Sequence, residues 1–110
     1  SALGTIISIA GLPADEVTFL GFVPIKKHRR EFFQTMNDSP RSIVFYESTH
    51  RILKTLEEMQ QNFTNKSRII CVGRELTKQF ETIYRGTVEE VLEGLKTSST
   101  KGEFVIMIAP

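Results

Sequence analysis

The chain has 110 residues, 40% of them hydrophobic, and a formal net charge of +1. That composition excludes a disordered chain, the length suits one core but not two full domains, and the charge excludes attraction to nucleic acid or membrane by bulk charge alone. The single cysteine, Cys71, rules out an internal disulfide or a multi-cysteine zinc site. Its setting in Ile69-Ile70-Cys71-Val72 suits a packed thiol in a reducing compartment. No apolar stretch approaches the roughly 20 residues that span a bilayer, and Ser1-Ala2-Leu3-Gly4 lacks the regions of a signal peptide. The expectation is a soluble, cytoplasmic protein with no membrane partner. The start at Ser1, directly in a helical pattern, suggests a piece of a longer chain.

Leu3, Ile6, Ile7 and Ala10 recur at one-turn spacing and Gly11-Leu12-Pro13 stops the run, predicting a first helix over 2–10. Val17 to Phe22, bounded by Asp15-Glu16 and Pro24, reads as a short strand. Lys26-Lys27-His28-Arg29-Arg30 leads into Glu31-Phe32-Phe33 and Met36, predicting a helix with a strongly basic first turn. Cations there oppose the helix macrodipole, so something outside the helix should offset them.

After the turn Asn37-Asp38-Ser39-Pro40, the run Ser42 to Tyr46 predicts a strand covered on both faces. Ser48 is expected to cap the next helix, whose stripe is Ile52, Leu53, Leu56, Met59 and Phe63. Ile69 to Gly73 is a second buried strand, and Phe80 to Arg85 alternates as an edge strand does. Thr87-x-x-Glu90 is a capping box ahead of Val88, Val91, Leu92 and Leu95, and Phe104 to Ile108 is a third buried strand. The pattern is a single α/β domain over 1–110: a mixed sheet of about five strands flanked by helices, with parallel crossovers and one hairpin-like pair.

In open α/β sheets ligands gather beyond the carboxyl ends of the strands. Three segments stand there. Tyr46-Glu47-Ser48-Thr49-His50-Arg51 combines a carboxyl, hydroxyls, an imidazole and a guanidinium, although a helix cap with solvated neighbours explains it too. Gly73-Arg74-Glu75-Leu76-Thr77-Lys78 is polar and basic after a buried strand, as an ordinary loop also is. The run Lys26 to Arg30 is either a solvated charged face or a phosphate contact. Residues 1–78 carry 11 basic against 8 acidic side chains, net +3, while 79–110 carry 3 against 5, net −2. Positive charge is thus concentrated with these loops, where Lys26, Lys27, Arg29, Arg30, Arg51, Arg74 and Lys78 could hold a polyanion, without obvious interleaved aromatics. No P-loop or GxGxxG is present, neither histidine has metal-site spacing, and Ser48, His50 and Glu47 lack a nucleophile elbow. No metal is expected.

At these same segments the sequence resembles the 16S rRNA 2′-O-ribose (cytidine) methyltransferase branch of the tetrapyrrole methylase superfamily. The resemblance rests on Ser-Ala-Leu at the start, Ala10-Gly11-Leu12-Pro13 with Asp15, and Phe19-Leu20-Gly21-Phe22-Val23-Pro24 with Lys26 and Lys27. It continues through Val44-Phe45-Tyr46-Glu47-Ser48, His50-Arg51, Arg74-Glu75-Leu76-Thr77-Lys78 with Phe80-Glu81, and Gly102-Glu103-Phe104. Thr49 departs from the family's usual Pro, which bears on loop stiffness rather than cofactor class.

The resemblance implies the C-terminal half of a two-domain enzyme that holds S-adenosylmethionine between its domains, usually as a homodimer, with small-subunit rRNA as partner. By position it implies Ser1, Ala2, Tyr46, Glu47, Leu76, Gly102 and Glu103 near the cofactor, and it makes Lys26, Lys27, Arg29, Arg30, His50, Arg51, Arg74 and Lys78 the candidates for RNA contact. Glu47 or Glu75 is a candidate to orient the acceptor or take its proton. Two rivals stay open: a tetrapyrrole methylase, which gives no reason for the Lys26 to Arg30 cluster, and a non-catalytic RNA-binding module.

Overall fold

The computed structural model describes residues 1–74, 82–98 and 101–110. Nine elements follow the predicted order among them: α1 (Ala2–Ile9), β1 (Val17–Phe22), α2 (Arg29–Asp38), β2 (Ser42–Ser48), α3 (Ile52–Asn62), β3 (Ile69–Arg74), β4 (Thr82–Thr87), α4 (Val88–Lys96) and β5 (Glu103–Ile108). The apolar runs in β2, β3 and β5 are buried because helices cover both faces of the sheet. Ile43, Phe45, Ile70, Val72, Ile106 and Ile108 belong to a core with α2, α3 and α4. Val44, Cys71, Val105 and Met107 form a smaller cluster with Ile6 and Ala10 at α1. Alternate residues of one strand thus serve two apolar layers, which is why the runs read as continuous rather than alternating.

The strand order is β1-β2-β5-β3-β4. Only β1 and β2 pair in parallel; β5 is antiparallel to both β2 and β3, and β3 and β4 are antiparallel. The expectation of a mixed sheet holds, but only one of the helical crossovers joins adjacent strands. The connections through α3 and α4 each skip a strand, because β5 sits between β2 and β3 and buries both of its faces there. Hence β1, β2 and β3 end on one edge, and β4 and β5 begin on it.

Two local expectations change. Ser48 does not cap α3: its pairing with Glu103 keeps it in the β2 ladder, and Arg51 takes the cap position without a side-chain bond. The cluster Lys26 to His28 precedes α2 rather than forming its first turn, and His28 at the cap has a left-handed backbone (φ 65°). The capping box of α4 is present, with Thr87 Oγ1 accepting from the Glu90 amide at 3.3 Å and Glu90 Oε1 from the Thr87 amide at 3.0 Å. The other end of α2 is held by Arg68, which donates to the Met36 carbonyl at 3.0 Å and to the Ala109 carbonyl at 3.0 Å while lying over the Phe63 ring. Burial lowers the pKa of that guanidinium from its ordinary value. Strand β4 begins at Thr82, and Phe80 and Glu81 of its predicted span lie outside the described residues.

Candidate functional site at the carboxyl ends of the strands

Register places the candidates relative to one another. Phe22 pairs with Tyr46, Ser48 with Glu103, Glu47 with Phe104, and Arg74 with both Phe104 and Thr82. Tyr46, Glu47, Arg74 and Glu103 therefore share one edge of the sheet, with Gly102 beside Glu103 in a left-handed conformation (φ 94°). His50 and Arg51 follow at the end of β2, and His50 is exposed. Ser1 stands on the opposite layer from α2–α4, where its hydroxyl accepts from the Gly4 amide at 3.2 Å and caps α1. Ala2 packs with the cluster to which Tyr46 also belongs. Glu75, Leu76 and Lys78 lie outside the described residues.

Glu47 points into the helical layer and is 1% exposed. Its Oε1 accepts the Ser48 amide at 2.8 Å, its Oε2 accepts the Thr55 hydroxyl at 2.7 Å, and Arg51 Nε stands 3.6 Å away. Thr55 Oγ1 in turn accepts from Arg29 Nη2 at 3.2 Å. Arg29 grips Glu58 through both Nε and Nη2, at 3.1 and 3.0 Å, and donates to the Pro24 carbonyl at 2.7 Å. It also lies over the Phe33 ring, 5.2 Å from its centroid. Glu58 is the group outside α2 that offsets its basic start. Arg29 is thereby committed to the fold, whereas Lys26, Lys27 and Arg30 are exposed. Lys26 and Arg30 line a groove of about 510 Å³ with Gln34, Asn37 and Asn62. Arg74 is committed as well: it donates to Thr82 Oγ1 at 3.2 Å and to the Lys101 carbonyl at 3.4 Å.

Three buried polar atoms at this edge, Ser48 Oγ, Arg51 Nε and Arg74 Nε, have no hydrogen-bond partner among the described residues. Buried polar groups are ordinarily paired, so the edge has donors and a hydroxyl to offer a polar ligand. Among the described residues no group of three His, Cys, Asp or Glu is placed to hold a metal ion, and no helix is long and apolar enough to cross a membrane. Sequence reasoning missed the aromatic group beside Tyr46. Phe19 and Phe22 both meet its ring edge-on, at 5.2 and 5.3 Å between centroids, and remain 45% and 61% exposed. Gly21 between them was the available signal.

Residues 1–92 match the family model of Tetrapyrrole (Corrin/Porphyrin) Methylases. The chain belongs to that family. Among curated members, it is 41% identical over 107 residues to the ribosomal RNA small subunit methyltransferase I of Escherichia coli O157:H7, covering 94% of this chain and 37% of that protein. The protein of the same name from Halalkalibacterium halodurans is 37% identical over 109 residues, covering 98% of this chain and 37% of that one. The tetrapyrrole methylase chain thus spans little more than a third of these relatives. Among solved structures, a cobalt precorrin-4 methyltransferase superposes with a TM-score of 0.67 at 14% identity, over 98% of this chain and 47% of that one. Uroporphyrin-III C-methyltransferase from Thermus thermophilus complexed with S-adenosyl homocysteine gives 0.59 at 17%, over 94% and 48%. At those identities the likeness is one of fold.

Proposed function

We propose that the chain is the C-terminal domain of an S-adenosylmethionine-dependent methyltransferase that modifies a cytidine ribose 2′-hydroxyl of small-subunit rRNA. The observation that carries this reading is the 41% identity to a small-subunit rRNA methyltransferase over 94% of the chain. The fold neighbours whose names concern tetrapyrroles stand at 14% and 18%. In this reading the protein works in the cytoplasm as a homodimer, and an N-terminal domain preceding Ser1 completes the cofactor cleft.

The residues present fit such a cofactor. Ser48 Oγ and Arg74 Nε are buried at the strand ends without hydrogen-bond partners among the described residues, and Arg51 Nε, 3.6 Å from Glu47 Oε1, makes no hydrogen bond there. They flank Tyr46, Gly102 and Glu103, and supply a hydroxyl and N–H donors for a polar ligand. S-adenosylmethionine, when bound, supplies an electrophilic methyl group on a sulfonium. The chain's part is to orient an acceptor oxygen and accept its proton, and orientation contributes much of the acceleration in such reactions. Glu47 spends both oxygens on Ser48 and Thr55 and so acts as a positioning residue for the loop 48–51. Of the two carboxyl candidates, Glu75 is retained for the reacting hydroxyl. Lys26, Lys27, Arg30 and His50 hold phosphates, and Arg29, Arg51 and Arg74 hold the loops that carry them.

The test compares this chain with one extended upstream through the proposed N-terminal domain. Calorimetry with S-adenosylmethionine should give tight binding to the longer protein and little to the 110-residue chain. Methyl transfer to small ribosomal subunits should appear with the longer protein alone. Transfer to a porphyrinoid instead of rRNA would establish the tetrapyrrole reading, and rRNA binding with no cofactor binding by either protein would establish a non-catalytic module.

A further inference from the structure

The groove between α2 and α3 has two chemically distinct ends. Arg29 stands at its head, donating to the Pro24 carbonyl just past β1 and to Thr55, which holds Glu47 at the end of β2. Both helices leave the edge of the sheet where those strands end, so the groove opens beside the candidate site and runs away from it along the helical layer. Lys26, Arg29 and Arg30 line the head, and the only carboxyl among the described lining residues is Glu58, which Arg29 engages; three cations against one carboxylate leave a net +2. Glu31, Asp38 and Glu57, the other carboxyls of the two helices, do not line it. Lys26 and Arg30 are exposed, and their side chains have no partner among the described residues. About 10 Å further along α2, at 1.5 Å for each residue from Arg30 to Asn37, the lining changes to carboxamides. Gln34 donates its amide nitrogen to Asp38, and Asn62 donates its own to the Glu58 carbonyl, at 2.7 Å in each case. Those bonds orient both amides and leave Gln34 Oε1 and Asn62 Oδ1 as acceptors that nothing among the described residues uses. Asn37 is spent on Asp38 and Thr64.

A ligand that satisfies both ends carries an anion and, on the same molecule, N–H donors. Phosphate is the anion that a free lysine and a free arginine hold together. The exocyclic amino group of cytosine or adenine brings two N–H donors to two acceptor oxygens, whereas uracil has a single N–H, and single-stranded RNA is read through such base edges. The groove, at about 510 Å³, lies within the range of about 300–1,000 Å³ that small-molecule sites occupy. We propose that it is a nucleotide subsite for an RNA strand, in which Lys26 and Arg30 hold a phosphate while Gln34 Oε1 and Asn62 Oδ1 accept from the amino group of the attached base. This rests on the rRNA reading above and adds to it a contact that selects amino-bearing bases away from the reacting ribose.

The experiment follows the fluorescence anisotropy of labelled oligo(C), oligo(A) and oligo(U) RNA, at several salt concentrations, with the chain and its Gln34→Met, Asn62→Leu and Arg30→Ala variants. Methionine and leucine keep the bulk of each side chain and remove its acceptor. Oligo(C) and oligo(A) should bind about tenfold more tightly than oligo(U). Gln34→Met and Asn62→Leu should each erase most of that preference at an unchanged salt slope. Arg30→Ala should keep the preference and lower the slope by about one for all three strands. All three side chains are exposed, and far-ultraviolet circular dichroism checks that the helices persist. Strands that bind with a salt slope but without a preference, or with one that Gln34→Met and Asn62→Leu leave intact, overturn the subsite and leave the rRNA reading standing. No binding of any strand at low salt overturns both. Cytidine 5′-monophosphate alone, titrated by calorimetry, should bind at least about tenfold more weakly than oligo(C), because the strand adds further phosphate contacts; equal affinity would assign the groove to a free nucleotide and overturn the RNA source.

Discussion

Glu47 and Thr55 are joined across the boundary between the sheet and its helical layer, with the threonine hydroxyl donating to the carboxyl at 2.7 Å where neither residue is more than 1% exposed. The bond fixes the end of β2 to the first turn of α3, and the Ser48 amide occupies the other oxygen of Glu47. Replacing Thr55 by Val preserves shape but strands one buried acceptor and removes the acceptor that Arg29 uses. Unpaired buried groups of this kind cost about 1–3 kcal/mol. Chemical denaturation of Thr55→Val should show a loss of that order, and Thr55→Ser should recover most of it.

Arg29 and its basic neighbours should separate in two assays. Arg29→Ala removes a two-point pair with Glu58, the bond to Pro24 and the contact with Phe33, and it leaves Glu58 partly buried without its partner. Breaking a buried pair in this way costs about 3–5 kcal/mol, reduced here because the Glu58 side chain keeps 26% of its exposure. A loss of about 2 kcal/mol in denaturant is expected. Lys26→Ala and Lys27→Ala should change stability by less than about 0.5 kcal/mol. Each should instead lower the salt slope of RNA binding by about one. A lysine variant that binds RNA with the parental slope would remove that residue from the phosphate contacts.

The reach of sequence reasoning here tracks the range of the interactions involved. Runs such as Ile69 to Val72 and Phe104 to Ile108 announce themselves because two-sided burial removes every polar residue, and Thr87 with Glu90 is a bond between neighbours. The insertion of β5 between β2 and β3 depends on where two helices cross the sheet, which no local pattern encodes. Ser48 resembles a helix cap until its ladder partner Glu103, 55 residues later, is known. Arg29 is indistinguishable from Lys26 or Arg30 in a basic run; the partner that sets it apart, Glu58, lies 29 residues away. The exposed phenylalanines were hidden for a related reason. Period-two counting assigns Phe19 and Phe22 to opposite faces, and a bulge at Gly21 reverses that parity.

Cys71 provides a pH test of the packed core. Burial between the sheet and α1 raises the thiol pKa from its ordinary value, and Arg85 nearby lowers it by a smaller amount. A folded-state pKa above the unfolded one means that above the unfolded value, about 8.5, the folded chain holds the proton more tightly than the unfolded chain. Stability therefore falls as pH rises from there toward the folded pKa, by at most about 1.4 kcal/mol per pH unit from this group. Denaturation midpoints measured between pH 7 and 10 should decline less steeply in Cys71→Ala than in the parent. Thiol reagents should label native Cys71 only at the rate of unfolding, because the side chain is fully buried.

Gly21 links backbone conformation to the exposed aromatic pair. Its φ of 72° lies where an added Cβ is strained although nothing stands within 4 Å of it, so the strain of Gly21→Ala arises from the backbone alone. The left-handed conformation costs an L-residue about 1–2 kcal/mol, and the variant has two ways to respond. If it keeps the bulge, denaturation should show a loss of about 1 kcal/mol with near-ultraviolet circular dichroism unchanged. If it relaxes into regular pairing, Phe19 and Phe22 point to opposite faces, the edge-on contacts with Tyr46 are halved, and near-ultraviolet circular dichroism should weaken. The neighbouring parallel ladder, in which the Val23 amide donates to the Tyr46 carbonyl at 3.3 Å, resists relaxation because a one-residue shift would break that bond. We therefore expect the first outcome at low temperature and the second near the unfolding transition. Gly21→Asn, whose side chain tolerates this region, should lose less stability than Gly21→Ala and keep the near-ultraviolet signal throughout.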